Sequence, residues 1–138
     1  MQLMSKEKFA MNGEFYFLDT NAIIQLLKGN QELIEMLKEA EFIACSIISK
    51  LEFMSFPKIS EKDIKLFETF SKKIEIMSLS SSNDELHQHI LNIRKDKKLK
   101  LPDAIIVGCS AYRNCTLITA DKKILDIQGV STLTYQVI

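Results

Sequence analysis

The sequence has no excess of either charge. Its 138 residues include 18 lysines and arginines and 18 acids, so the formal net charge is zero. A domain that coats nucleic-acid phosphates without sequence preference is strongly basic, so a zero total disfavours that simplest class of binder. The total does not exclude a local basic patch, because acids elsewhere in the chain can cancel it.

Glycine and proline are scarce, at four and two residues. No Gly/Pro-rich linker, internal repeat or low-complexity tract interrupts the chain, so we expect short loops. A chain of this length falls in the commonest size range of a single domain and can bury a core without disulfides or a structural metal. Met11 stands just before the first strand-like run, so we expect residues 1–13 to be an N-terminal extension and residues 14–138 to form the domain.

Cysteines are few, and their number is odd. Cys45, Cys109 and Cys115 form no CxxC motif and cannot make a closed disulfide framework. All three lie in or beside apolar runs, so we expect buried, reduced thiols in a cytoplasmic protein. No apolar run approaches the roughly 18 residues of a membrane span, and the first ten residues lack the apolar segment of a signal peptide. We therefore expect no membrane partner.

Short apolar runs alternate with helical patterns along the chain. We predict strands at 15–18, 42–45, 74–79, 116–120 and 132–137. We predict helices at 22–28, 31–40, from Ser46 to about Phe56, after Ser60, and at 82–97, 101–113 and 122–126. Strands joined by helical crossovers form parallel sheets covered on both faces. The pattern therefore predicts a three-layer α/β/α sandwich with a central, mostly parallel sheet of about five strands.

Residues that favour helix starts support several of these boundaries. Asn30, Ser46 and Ser60 each precede a helical pattern and are predicted to be N-caps. Ser82 and Glu85 have the spacing of a capping box, which predicts that Ser82 caps the helix at 82–97.

Four acids stand where such a sheet would place a site. Asp19 directly follows the first strand, Asp121 follows the fourth, and Asp103 opens the helix before the fourth strand. Glu52 lies between one and two helical turns beyond Ser46 and can point back toward the strand ends. Ligands of parallel sheets bind at the carboxyl ends of the strands, so these acids would form one cluster there. Each acid alone has a structural alternative, as a helix cap, a favourable charge at a helix start or a solvated helix residue.

Four carboxylates that converge without histidine or cysteine have a specific chemistry. They repel one another in a dry cleft unless cations neutralise them or some become protonated. Mg²⁺ and Mn²⁺ prefer oxygen ligands and are their natural counterions. Two such ions held about 4 Å apart by carboxylates are a standard device for phosphodiester cleavage.

The sequence around these acids resembles the PIN-domain nucleases. The segment 17–24, FLDTNAII, looks like their opening motif, and the segments 49–52, 101–106 and 117–121 resemble the later ones in the same order. The resemblance covers about residues 14–138 and is closest to the toxin type, VapC-like, of bacterial toxin–antitoxin pairs. It implies a Mg²⁺- or Mn²⁺-dependent endoribonuclease with an RNA substrate, a small antitoxin partner and frequent formation of homodimers.

The resemblance also implies roles for individual residues. The main metal-site acids would be Asp19, Glu52 and Asp103, with Asp121 as a fourth. All four would also count as catalytic.

Two polar residues in the same motifs complete the implied catalytic set. Asn21 and Thr119 would orient water or carboxylates through hydrogen bonds. Thr119 has an alternative as an ordinary strand residue, and its neighbour in the first motif, Thr20, has one as an N-cap.

A basic run stands directly before Pro102 and Asp103. Its five cations are Arg94, Lys95, Lys97, Lys98 and Lys100. In the functional interpretation, these cations would bind RNA phosphates beside the acids. The alternative is a solvated helix C-terminus, where positive charge is favourable for any helix.

Other functions remain open at this point. A phosphatase of the haloacid-dehalogenase type forms an aspartyl phosphate and requires a second Asp at the position that Asn21 occupies here. A receiver domain of the response-regulator type requires a phospho-acceptor Asp after the third strand, but residues 79–82 contain no Asp. A catalytically weak PIN domain that only binds RNA or protein is a further alternative.

Overall fold

The computed structural model describes residues 15–138, so the predicted extension at 1–13 and its boundary with the domain lie outside the described residues. The strands are β1 (Phe15–Leu18), β2 (Phe42–Ser46), β3 (Glu75–Met77), β4 (Thr116–Ile118) and β5 (Thr132–Leu133). The helices are α1 (Thr20–Leu27), α2 (Gln31–Lys38), α3 (Ile47–Met54), α4 (Glu61–Ser71), α5 (Asp84–Lys97), α6 (Leu101–Tyr112) and α7 (Lys122–Leu125).

The five strands form one sheet in the order β3-β2-β1-β4-β5, and every neighbouring pair is parallel. Leu18 at the end of β1 is in register with Cys45 on one side and Ile118 on the other. All strands therefore end at the same edge of the sheet. The chain moves outward from β1 in one direction through β2 and β3, then returns to the other side of β1 as β4. Such a change of direction opens a crevice at the carboxyl ends of the strands.

Side chains alternate between the two faces of the sheet, and each face has its own core. Phe17 of β1 packs in a cluster with α5 and α6, whereas its neighbour Leu18 packs in a second cluster with α1, α2 and α4. Both side chains are almost completely buried. The predicted three-layer α/β/α sandwich is confirmed, and the sheet is parallel throughout.

Most predicted helix starts are confirmed by their hydrogen bonds. The side chains of Asn30, Ser46 and Ser60 accept bonds from backbone N–H groups in the first turns of α2, α3 and α4. The capping box predicted at Ser82 is wrong. Ser82 lies in a turn, where its own N–H donates to Ser80 Oγ, and Asn83 caps α5 instead by accepting from the N–H of Leu86 at 3.1 Å.

The later strands are shorter than predicted. β5 ends at Leu133, because the chain beyond it leaves the sheet and crosses toward α1 and α2. There the N–H of Gln136 donates to Glu32, and the carbonyl of Gln136 accepts from the side chain of the buried Asn30. β3 and β4 each keep three residues in the ladder.

The three cysteines are buried and unpaired, as expected. Burial raises the pKa of the Cys45 thiol to about 12 and the pKa values of Cys109 and Cys115 to about 11, so these thiols stay protonated. Of the helices in residues 15–138, none has the length and apolar character needed to cross a membrane.

Candidate active site

Asp19 is the first residue beyond β1 and the N-cap of α1. Its Oδ1 accepts a hydrogen bond of 2.8 Å from the N–H of Ala22, and its side chain also accepts one from the hydroxyl of Thr119. The residue is only 6% exposed. Its carboxylate therefore has a fixed position at the centre of the carboxyl edge of the sheet.

Glu52 reaches the same place from α3, which follows the neighbouring strand β2. The hydroxyl of Thr20 donates to Oε1 of Glu52 and lies 3.1 Å from the hydroxyl of Ser49. Thr20 and Ser49 are both buried. The side chain of Glu52 is thus held by the hydroxyl of Thr20 at the start of α1, which lies beside the hydroxyl of Ser49 in α3.

Asp121 and Asp103 approach from the other side of Asp19. Asp121 follows β4 and caps α7, where its Oδ1 accepts from the N–H of Lys123 at 2.9 Å. Its own N–H donates to the hydroxyl of Thr119 at 3.0 Å. Asp103 lies in the first turn of α6, where the positive end of the helix dipole favours a negative charge.

The four acids line one cleft of about 360 Å³. The remaining lining residues are Thr20, Asn21, Ser55, Phe56, Ile106 and Ile124. The structure therefore brings together the four acids that were singled out along the chain. It places Asn21 at the exposed rim of the cleft and Thr119 beneath it, fully buried.

The acids disturb one another electrostatically. Burial raises the pKa of Asp19, the charges of Asp121 and Asp103 raise it further, and the bonds from Thr119 and Ala22 oppose the rise. The pKa of Asp103 is also raised, first by burial and then by the charges of Asp121 and Glu52. These carboxylates are thus poorly compensated by protein groups, which is the electrostatic situation that a bound cation relieves.

The residues present fit a divalent cation by their chemistry. Every charged group that lines the cleft is a carboxylate, and the neutral polar groups are two hydroxyls and an amide. Within residues 15–138, the side chains of His, Cys, Asp and Glu form no group of three or more that could hold a metal ion in their present positions. Instead, one carboxylate oxygen of Asp19 caps α1, and one carboxylate oxygen of Asp121 caps α7.

The predicted basic run surrounds the turn between α5 and α6. Arg94, Lys95 and Lys97 lie in the last turns of α5, and Lys98 ends that helix in a left-handed conformation with φ 56°. Lys100 occupies the N-cap position of α6 without a side-chain capping bond, three residues before Asp103, and its charge lowers the pKa of that acid. All five cations are exposed, so they are free to meet a ligand at this edge.

Sequence reasoning missed three kinds of residue at this site. The N-cap alternative for Thr20 is wrong, because Asp19 caps the helix, and the bond that Thr20 donates to Glu52 was not predicted. Lys123 of α7 also lowers the pKa of Asp103, and Phe56 forms part of the cleft wall. Only the position of Lys123, two residues after Asp121, offered a signal in the sequence.

The fold and site together define a parallel α/β domain whose carboxyl edge carries a cleft of four acids. Residues 16–130 match the family model of the PIN domain, which is most of the chain. The chain therefore belongs to the PIN-domain family, and the resemblance drawn from its motifs is confirmed. No curated protein matches the sequence.

Solved structures with the same fold include several toxin–antitoxin complexes. A chain of VapBC2 from Rickettsia felis, bound to a DNA fragment from its promoter, is 20% identical with a TM-score of 0.74, and the match covers 88% of this chain and 99% of that one. A chain of a toxin–antitoxin complex from Klebsiella pneumoniae is 27% identical with a TM-score of 0.73, again over 88% and 99%. VapBC-5 from Mycobacterium tuberculosis is 13% identical with a TM-score of 0.58, over 90% and 99%.

Proposed function

We propose that this chain is a Mg²⁺- or Mn²⁺-dependent endoribonuclease and the toxin of a bacterial toxin–antitoxin pair. The observation that carries the proposal is the cleft in which Asp19, Glu52, Asp103 and Asp121 meet at the carboxyl edge of the sheet. Carboxylates that crowd one cleft and are only partly compensated by protein groups favour divalent cations, and such sites cleave phosphodiesters. Membership of the PIN-domain family supports the same reaction.

The residues of the cleft have distinct parts in this proposal. Asp19, Glu52, Asp103 and Asp121 would hold the cation, which supplies Lewis-acid chemistry for hydrolysis of the phosphodiester. Thr119 fixes the carboxylate of Asp19, and Thr20 fixes that of Glu52, so both act as positioning residues.

The substrate contacts lie at the rim of the cleft. Asn21 stands there, exposed, and orients water or substrate by hydrogen bonds. The cations Arg94, Lys95, Lys97, Lys98 and Lys100 hold RNA phosphates along the neighbouring edge.

The partner in this proposal is a small antitoxin protein. Support comes from the solved toxin–antitoxin complexes whose chains share this fold, one of them 27% identical. We also propose that two copies of the chain associate as a homodimer, which sedimentation of the purified protein would measure.

The nuclease proposal is tested by incubating total RNA with the purified chain and Mg²⁺ or Mn²⁺. The wild type should cleave the RNA, and Asp19→Asn should lose nearly all cleavage, because it removes a charge at the centre of the cleft. Asp84→Asn is the matched control, since the Asp84 side chain is 97% exposed at the far end of α5. It should cleave as the wild type does.

Three results would contradict the proposal. Equal cleavage by the wild type and Asp19→Asn would place the reaction elsewhere. A folded wild type that cleaves no RNA with either metal would favour a PIN domain that only binds. Stable labelling of a single aspartate by acetyl phosphate would favour phosphotransfer.

The toxin assignment has its own test. Expression of the chain should arrest growth, and co-expression of its small antitoxin, which this proposal places in an adjacent gene, should relieve the arrest. If expression is harmless while RNA cleavage in vitro is intact, the toxin assignment is wrong but the nuclease assignment stands.

A further inference from the structure

Tyr135, two residues beyond β5, is a buried tyrosine whose hydroxyl has no partner. The residue is only 6% exposed, and its hydroxyl makes no hydrogen bond with any group in residues 15–138. A buried tyrosine usually finds a partner for its hydroxyl, because a buried group without one has lost its bonds to water and gained none in return. Phenylalanine would fill the same space without that cost, so the hydroxyl at this position requires an explanation.

The ring of Tyr135 lies close to Asp19. Tyr135 belongs to the buried cluster that contains Leu18 and Ala22, which stand one residue before and three residues after Asp19. Burial, and after it the charge of Asp19, raise the pKa of the Tyr135 phenol to about 12, so the phenol keeps its proton and can donate it in a hydrogen bond. Tyr135 does not line the acid cleft. Its hydroxyl therefore approaches Asp19 from the core and not from the cleft.

The backbone around Tyr135 is fixed on both sides. Before it, the carbonyl of Leu133 accepts from the N–H of Thr119 at 3.0 Å, which keeps this segment beside the end of β4. After it, the carbonyl of Gln136 accepts from the side chain of Asn30 at 2.9 Å. The phenol is therefore held in advance near the carboxyl edge of the sheet, as a group that positions another side chain must be.

The carboxylate of Asp19 can accept a further hydrogen bond. An ionised carboxylate offers about four acceptor sites on its two oxygens. The N–H of Ala22 and the hydroxyl of Thr119 use two of them. One donor more can therefore bind Asp19 without competing with a cation for every remaining site.

We propose that Tyr135 is a positioning residue for Asp19, whose carboxylate accepts from the Tyr135 hydroxyl, directly or through one bound water, when the cleft holds its divalent cation. The inference rests on the proposed metal-dependent function and adds a residue to it. Donors that orient a metal-binding side chain commonly change metal affinity by about 10- to 100-fold when they are removed.

Packing is the competing explanation of Tyr135, because its ring fills part of the core. A packing role needs only the ring, which phenylalanine keeps, whereas a positioning role needs the hydroxyl, which phenylalanine lacks. The two explanations therefore predict different results for Tyr135→Phe. Packing predicts no change in metal affinity, and positioning predicts a loss of metal affinity without a loss of metal-free stability.

The first measurement is the affinity for Mn²⁺ by titration calorimetry. Tyr135→Phe should bind Mn²⁺ about 10- to 100-fold more weakly than the wild type. Its melting temperature in EDTA should be equal or higher, because the variant loses an unpaired buried hydroxyl. Tyr112→Phe is the matched control, since it removes a hydroxyl that donates to Glu85 instead. It should bind Mn²⁺ as the wild type does.

The second measurement tests how close Tyr135 lies to the bound cation. The sequence has no tryptophan and three tyrosines, so tyrosine is the residue that can pass absorbed ultraviolet energy to a bound Tb³⁺. Tb³⁺ is a hard cation and would bind the same oxygen ligands. Energy transfer falls steeply with distance, so Tyr135→Phe should lose most of the Tb³⁺ luminescence. Tyr112→Phe should lose little, because Tyr112 is nine residues, or about 14 Å, along α6 from Asp103.

The outcomes separate this inference from the proposed function. If Tyr135→Phe binds Mn²⁺ as tightly as the wild type or keeps the Tb³⁺ luminescence, the positioning proposal is overturned. A lower melting temperature of Tyr135→Phe in EDTA would also overturn it, since the hydroxyl would then support the fold itself. If Mn²⁺ affinity depends on Tyr135 as expected but the wild type cleaves no RNA, the nuclease proposal fails and the positioning inference stands.

Discussion

Thr119 donates a hydrogen bond to the carboxylate of Asp19, and the same oxygen accepts one from the backbone N–H of Asp121. One fully buried hydroxyl at the end of β4 thus ties together acids that follow two neighbouring strands. Groups that orient metal-binding side chains in this way commonly change metal affinity or activity by about 10- to 100-fold when removed.

We therefore expect Thr119→Val to lower the rate of RNA cleavage by about 10- to 100-fold and to raise the Mn²⁺ concentration needed for half-maximal rate. Valine has nearly the same shape but can neither donate nor accept. Thr119→Ser keeps the hydroxyl and should restore both quantities. If serine is as impaired as valine, the methyl group matters and the hydrogen bonds do not.

Metal-free stability should rise when Asp103 is neutralised. The pKa of Asp103 is raised from 3.8, so the folded protein binds more protons than the unfolded chain as the pH rises above about 4. Stability is therefore lost as the pH climbs through the folded pKa, and at pH 7 the charge is unfavourable. Asp103→Asn should raise the melting temperature in EDTA by about 1–3 °C, a small gain because partly exposed charges are screened.

The same argument predicts the effect of metal. Mg²⁺ should raise the melting temperature of the wild type and do so less in Asp103→Asn. Asp84→Asn serves as the control and should melt as the wild type does in EDTA. A lower melting temperature for Asp103→Asn in EDTA would show that the favourable dipole of α6 outweighs the repulsion.

Gly108 allows α5 and α6 to approach closely. A β-carbon at this buried position would lie 2.8 Å from Cγ1 of Ile90 and 3.4 Å from its Cα. Crowding of this kind costs about 1–3 kcal/mol, and the better helix propensity of alanine returns about 1 kcal/mol. We expect Gly108→Ala to lower the free energy of unfolding by about 1 kcal/mol in urea titrations. The cost should shrink in the background of Ile90→Ala, and an unchanged cost there would locate the strain elsewhere.

Asn30 joins the C-terminal segment to α1 and α2. Its Oδ1 caps α2, and its Nδ2 donates to Gln25 at 3.0 Å and to the carbonyl of Gln136 at 2.9 Å. Asn30→Asp keeps the cap but removes both donors and leaves a charge at a position that is 1% exposed. We expect a loss of about 2–4 kcal/mol in chemical unfolding.

Asn83→Asp is the matched comparison for that change. Asn83 caps α5 through the same atom but is partly exposed, so the substitution there should change stability by less than about 0.5 kcal/mol. Equal losses at the two positions would mean that capping, and not the buried donors, accounts for the effect at Asn30.

Much of this molecule was predictable because the deciding interactions are local. Asn30, Ser46 and Ser60 cap the helices directly after them, and such bonds span only two or three residues. The gathering of Asp19 and Asp121 was predictable for a different reason. The alternation of strands and helices along the chain indicates a parallel sheet. Residues that directly follow the strands of such a sheet must lie at the same edge, the carboxyl edge.

The rest depends on contacts that no local pattern encodes. The bond from Thr20 to Glu52 joins residues in two different helices and exists only after β1 and β2 pair. The exposure of Phe56 at the cleft depends on how α3 packs against the sheet. Ser82 and Asn83 are both suitable N-caps for α5. Because Ser82 lies in the turn at 80–82, Asn83 is the residue that caps the helix.

The placement of the four acids also has a consequence in time. Of the four acids, Asp19 is synthesised first and Asp121 last. The two lie at the same edge of the sheet only after β4 pairs with β1. A nascent polypeptide therefore holds the acids without the assembled cleft. The activity proposed for the cleft can therefore appear only after the span from residue 19 to residue 121 has been synthesised and folded.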